Sequence, residues 1–372
     1  MVEYILPMDI TGELQNNTNN ILGGINFGIL DNIAQSLGNL NFNLFGGDSF
    51  GTRVGRLLSG EFHNDYPNMF QALLRLFGGV VLDVLPILTL VVAIAILSGF
   101  VQSLKTDNKS QGVRDVIHFV TYAAVVVLVM YAVAALVATT TQTLNSIRTQ
   151  MDVVFPILLT LVASIGGAAS VGVYQPAVVM LSQGVMTIFT MVVMPLFIIT
   201  LTFSVVGNLS STTRFDKFVS FFTSTFKWTI GIVFTVFLAI IAIQGISAGV
   251  TDGISIRAAR FTISSYVPFL GGYLSQGFDL VLASSVLVKN AVGVAGLYLL
   301  LGVVLAPIAK ILVFSLAMKL AAAVTQPIGD ERISNFLTSV NKAFSMLLAI
   351  LIAVSFMYFI TIGLVIVSGN VL

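Results

Sequence analysis

A chain of 372 residues that is 57% hydrophobic and 9% charged, with a mean hydropathy of +1.00, holds more apolar surface than a soluble core of that size can bury. Lipid must solvate much of it, which sets aside the ordinary soluble enzyme classes. Net charge is +1 with no aromatic-laced basic tract, so nucleic acid is not an expected partner, and the lack of cysteine removes disulfides, thiol chemistry and Cys-ligated metal.

Residues 1–79 are distinct material, with seven acidic and three basic side chains against nine and fourteen in the remainder. Asn and Gly crowd 16–51, and the apolar positions Ile21, Ile25, Phe27, Leu30, Ile33 and Leu37 are loosely spaced. This pattern predicts an extracytoplasmic segment of two or three short amphipathic helices with glycine-rich joints. The start lacks a charged-then-apolar signal pattern, so either a leader precedes this sequence or the first span directs insertion.

Six stretches then have the length and apolarity of bilayer-crossing helices: 80–103, 116–138, 185–207, 228–249, 295–317 and 344–367. The first, third and fifth connections carry Lys105, Lys109 and Arg114; Arg214, Lys217 and Lys227; and Lys319, Arg332 and Lys342. The far segments 139–152 and 250–266 hold only Arg148, Arg257 and Arg260. Cytoplasmic loops attract basic residues, so the three basic loops are expected inside and both termini outside.

Two apolar segments, 153–184 and 267–294, remain. Each must cross an even number of times if the basic loops share a face, and two full crossings of the first leave too few residues before Gly207 for another span. Re-entrant helical hairpins are therefore expected. Gly166 and Gly167 with Gln175 and Pro176 supply the first set of breaks, and Gly271 and Gly272 near Asp279 the second. The alternative is seven ordinary spans, since 153–173 alone is apolar enough, with one basic loop then on the wrong side.

Arg148, Pro156, Gly184 and Pro195 recur 112 positions later as Arg260, Pro268, Gly296 and Pro307. The expected fold is thus an all-α polytopic bundle with a parallel internal repeat. Its parts are a two-helix unit over 80–138, one repeat over 139–249 and a second over 250–372. Pro86, Pro195 and Pro307 kink their helices or mark a first turn.

Ionisable groups inside apolar stretches are functional candidates, because a central charge costs about 2.5–3.5 kcal/mol on insertion scales. They are Asp83, Asp279 and Lys289, joined by the polar residues Asn290 and Gln175. Lys289 reads either as a pore-lining or gating cation, paired with Asp279, or as an amine that caps carbonyls or snorkels. Arg148 and Arg260 end matching helices on the far face and read as lipid or helix-end anchors, with partner binding as the alternative. Phe215, Phe218, Phe221, Phe222 and Phe226 run at helical spacing beside Lys217 and Lys227, as an interfacial helix or the lead-in to a span. His63 and His118 have no ligand spacing, and no phosphate loop or nucleophile motif is present, so no metal, cofactor or catalytic residue is expected.

Several strings in order resemble the stage III sporulation protein AE family of endospore-forming bacteria. They are FPILLTLVASIGG from Phe155 to Gly167 with Gln175-Pro176, VGNLS from Val206, IQG from Ile243, VKNAVG from Val288 and AAAVTQPIGD from Ala321. The resemblance runs from about Gly60 to Gly363; family members usually begin with a signal-like leader and carry Lys where Arg260 stands. The resemblance implies a multi-pass subunit of the mother-cell membrane facing the forespore, within a complex of stage III sporulation A proteins. Ring-forming subunits, a secretion-type ATPase and stage II sporulation protein Q across the intermembrane space are the implied partners. A non-enzymatic, homo-oligomeric channel or export gate is the favoured expectation. A secondary transporter with its site at the hairpins, or a scaffold for ring assembly, are the alternatives.

Overall fold

The computed structural model describes residues 10–38, 48–60, 66–103, 111–209, 215–266, 271–328 and 331–368. Among them every regular element is helical. Three short helices come first: α1 (Ile10–Gly23), α2 (Gly28–Gly38) and α3 (Phe50–Ser59). Long ones follow: α4 (Tyr66–Ser103), α5 (Gln111–Ser164), α9 (Asp216–Tyr266), α10 (Gly271–Thr325) and α11 (Glu331–Val367). Between α5 and α9 the chain forms α6 (Ala168–Val179), α7 (Met186–Ile188) and α8 (Met194–Leu209), joined by π-helical turns at Met180–Val185 and Phe189–Val193.

Six helical stretches are long and apolar enough to cross a bilayer: Phe70–Leu97, Phe119–Ser164, Ala168–Gly207, Asp216–Ile243, Gly277–Thr325 and Arg332–Val367. The seven-span alternative does not hold, because 153–173 straddles a chain reversal and is not one helix. That reversal is set by glycine. Gly166 sits at φ +84°, its N–H bonds the Ala163 carbonyl, and the Gly167 N–H bonds the Val162 carbonyl at 2.9 Å. These two bonds close the end of α5 with a left-handed residue. A Cβ on Gly167 would lie 2.6 Å from the Val162 side chain and 2.8 Å from its carbonyl oxygen, so only glycine fits.

The expected re-entrant hairpin needs a second reversal within 139–152, and none is there: α5 continues unbroken through it. The polar run Thr139-Thr-Thr-Gln-Thr143 resembles a loop in sequence. In the fold, the hydroxyls of Thr139, Thr140, Thr141 and Thr143 each donate to the carbonyl four residues back, so the helix itself satisfies them. The first hairpin is therefore the shared tip of α5 and α6. Likewise α9 runs through 250–266 without a break.

Paired contacts fix how the helices run. Ser334 to Ala322, Asn341 to Ser315 and Ser368 to Lys289 make α11 antiparallel to α10. Gln150 to Gly296 and Leu158 to Gly293 make α5 antiparallel to α10. Tyr122 meets Phe336 at 5.8 Å and Phe155 meets Tyr358 at 5.3 Å, so α5 and α11 run parallel. α4 lies along α10, with Leu76 on Ala306 and Ala309 and with Val80 and Val84 on Ala317. Phe203 stacks on Phe218 and Phe222 where α8 meets α9. The centre is filled by Phe155, Phe189, Phe197, Phe336, Phe344 and Tyr358, each below 2% exposure.

The short helices clamp the outside of this core. α1 and α3 lie on α10, and α2 lies on α5. Phe27 packs on Phe50 at 5.4 Å, Asp31 accepts the Phe50 N–H at 2.6 Å, and Ser49 caps α3. Buried Arg53 of α3 sits 5.4 Å from the Tyr298 ring centre.

The outer face of α5 changes character along its length. It exposes Val116, Phe119, Val120, Val127 and Tyr131 near its start, then Gln142, Asn145, Thr149 and Asp152. The 112-residue repeat is not visible as two equal hairpins. α6 begins at 168 and α10 at 271, 103 positions apart, and Gly184 lies in a π-turn whereas Gly296 lies in regular helix. Pro268 lies outside the described residues.

Helix approach at Gly293 is testable. A Cβ there would come within 2.4 Å of the Ile366 side chain, while one on Gly277 meets nothing within 4 Å. Gly293→Leu is expected to lower stability by about 1–3 kcal/mol through overpacking, and Gly277→Leu to change it little, read as thermal unfolding in detergent.

Candidate functional site

A seam of polar groups crosses the apolar interface where α5, α10 and α11 meet. Lys289 is wholly buried on α10. Its amine donates to the Ser368 carbonyl, one residue past the end of α11. The carbonyls of a helix C-terminus carry partial negative charge and lack intrahelical donors, so a cation there is stabilised by both effects. The amine thus meets a carbonyl at the end of α11, and not at a hairpin break beside its own helix. Asn290 follows, half-buried, with its Oδ1 reaching no donor among the described residues.

Two turns further along α10 from Lys289, the Gln150 Nε2 donates to the Gly296 carbonyl at 2.7 Å from a fully buried position on α5. The missing side chain of Gly296 opens that carbonyl to the approach; Val154 already stands 3.2 Å from where its Cβ would be. Gln150 escaped the sequence reading because nothing in its local pattern separates it from neighbouring polar helix residues.

The expected Lys289–Asp279 pair does not form directly. α10 is continuous between them, and ten residues of helix separate them by about 15 Å along the axis. Asp279 is half-buried nearer the start of α10.

A second polar group stands on the outer surface. Arg148 donates to the Gln183 Oε1, and the Gln183 Nε2 donates to the Asp152 Oδ1 at 3.4 Å. Arg148 and Asp152 share one face of α5, and Gln183 reaches them from the π-turn Met180–Val185. Such turns re-aim side chains and are frequent at functional sites. Arg148 therefore does not end a helix, as expected from sequence; α5 runs on to Ser164.

The other sequence candidates fall apart from this seam. Gln175 and Pro176 are exposed on α6. Gly271 and Gly272 open α10, and Arg260 lies on α9 with its side chain outside the described residues. Asp83 is exposed on α4, at the middle of the candidate span Phe70–Leu97. Among the described residues, no group of three or more His, Asp or Glu is placed to hold a metal.

Removing the Lys289 amine leaves a carbonyl at the end of α11 without that donor, a loss of about 1–3 kcal/mol for a buried group. Lys289→Met is expected to destabilise the solubilised protein by that order, with faster hydrogen exchange at the end of α11 than in α4. Unchanged exchange there contradicts the capping role.

Comparison with known proteins now adds identity. The family model described as stage III sporulation protein AE matches residues 49–369. The stage III sporulation protein AE of Bacillus subtilis (strain 168) is 28% identical over 269 residues, covering 72% of this chain and 67% of that protein. No solved structure matches. With six candidate spans in an all-helical fold and a family match across nearly the whole described core, this chain belongs to the stage III sporulation protein AE family, whose role is in sporulation.

Proposed function

We propose that this chain is a non-enzymatic channel or export-gate subunit of a sporulation membrane complex linking mother cell and forespore. Its pathway lies between subunits and not through the middle of one. The observation that carries this is Asp83. Its carboxyl stands exposed on α4 within the apolar stretch Phe70–Leu97, among exposed Leu82, Leu85 and Phe77. A carboxylate facing hydrocarbon is unfavourable by about 2.5–3.5 kcal/mol, so that face is better suited to water or another subunit than to lipid. Gly78 and Gly79 on the same helix have nothing within 4 Å of a Cβ position, which permits close approach of a neighbour.

The filled centre of the bundle supports the same placement, since packed aromatic rings leave the interior of a single chain closed. That filling also favours the scaffold reading. The transporter reading has less support, because Lys289 is enclosed and engaged with Ser368.

Six crossings in order bring the three basic connections to one end, which the charge rule makes cytoplasmic, and both termini to the other. The far halves of α5, α6 and α10 then stand outside the hydrocarbon. Two surfaces agree with this: the polar outer face of α5 beyond residue 138, and α1, which lies on α10 with Glu13, Gln15, Asn16, Asn19 and Asn20 exposed. The partners in this reading are further copies of the chain, other stage III sporulation A proteins with a secretion-type ATPase, and stage II sporulation protein Q from the forespore.

The chain has no cysteine, so a single Asp83→Cys probe is clean. In the assembled complex a charged thiosulfonate is expected to modify it; reaction only with a lipophilic maleimide contradicts the proposal. Asp83→Leu eases insertion of α4 by about 2.5–3.5 kcal/mol, so the expected loss of spore formation at normal membrane levels reports a lost interaction.

A further inference from the structure

We infer that the cytoplasmic ends of α8, α9 and α11 hold one anionic phospholipid, with its phosphate in a hydroxyl-lined pocket and an acyl chain along α9. This inference does not depend on the channel reading. The pocket, of about 490 Å³, lies where the three helices converge. Lys227 and Lys342 line it from α9 and α11, together with the hydroxyl residues Ser220, Thr223, Ser224 and Ser339. Asp216 is the one acid in its wall. Two ammonium groups and several hydroxyls against one carboxylate favour an anion.

A second, open surface groove, of about 510 Å³, begins at the same Lys227 and continues along Trp228, Gly231, Ile232, Thr235 and Val236 of α9. Its wall is mostly apolar, and it lies on the surface of the span Asp216–Ile243. Gly231 has nothing within 4 Å of its Cβ position, so its missing side chain keeps the groove open. An anion pocket joined through one lysine to an apolar membrane-facing groove has the polarity sequence of a phospholipid: charged head, then chain. A free anion uses only the first cavity.

The depth is right as well. Phe218, Phe221 and Trp228 are 55%, 63% and 69% exposed beside the pocket, and large aromatic residues gather at the membrane–water boundary. Basic residues at the cytoplasmic boundary attract anionic headgroups, each lysine strengthening binding several-fold near the surface. The hydroxyls add hydrogen bonds to phosphate oxygens, and charge-assisted bonds of that kind are the stronger ones.

Thermal unfolding of the full chain in neutral detergent, with phosphatidylglycerol, phosphatidylcholine, inorganic phosphate or a polyglutamate peptide added, tests the assignment. Phosphatidylglycerol alone is expected to raise the midpoint in a saturable way. Lys227→Gln with Lys342→Gln is expected to weaken that effect about tenfold or more. Gly231→Phe, which fills the groove and keeps both lysines, is expected to weaken it comparably. An equal effect from inorganic phosphate or polyglutamate, an equal effect from phosphatidylcholine, or an effect surviving both variants overturns the assignment. If a variant does not fold, the comparison of the four additives on the unaltered chain still decides.

Discussion

Helices of 51 to 55 residues extend about 80 Å, whereas bilayer hydrocarbon is about 30 Å thick. Lipid can solvate only part of each, so protein and water must solvate the rest. The molecule meets that requirement by packing α5, α10 and α11 against one another for most of their length. Gly293 and Gly296 let α10 sit within contact distance of Ile366 and Val154. The three short N-terminal helices then cover the flank of the same region and turn most of their polar residues outward, with Arg53 and Thr18 buried.

That arrangement explains where the polar groups are. Inside the seam, Lys289 and Gln150 each spend a donor on a backbone carbonyl: one at the end of α11, the other on α10 beside a glycine. Both bonds tie α10 to a neighbouring helix at a depth where unpaired donors are costly. On the outer surface, Arg148, Gln183 and Asp152 join α5 to the π-turn that follows α6. Asp83 belongs to neither group. Its exposure within an apolar stretch is the feature that most needs something beyond a single chain in lipid.

Much of this fold was legible in the residues, and the failures have definite physical causes. Each stretch of about 20 apolar residues lies within one continuous helical stretch, the third across the π-turns between α6 and α8, because hydropathy reports the bilayer directly. The break at Gly166 and Gly167 was legible because a left-handed helix stop excludes a Cβ. The threonine run at 139–143 misled, since hydroxyls that bond their own helix look in sequence like loop residues. The partner of Lys289 could not be read, because a backbone carbonyl has no side-chain identity. Gln183 was missed because π-turns carry no composition of their own. Matching Arg148 with Arg260 assumed equal hairpins, and the two second arms begin at a different offset.

The account stands or falls on where α5 leaves the bilayer. Single cysteines at Tyr131, Asn145 and Thr149, placed one at a time, can be probed with a membrane-impermeant thiol reagent added outside right-side-out membrane vesicles. Modification at Asn145 and Thr149, with Tyr131 protected, is the result the account predicts. Protection of Asn145 and Thr149 from outside, or their modification only from the cytoplasmic face, would contradict it.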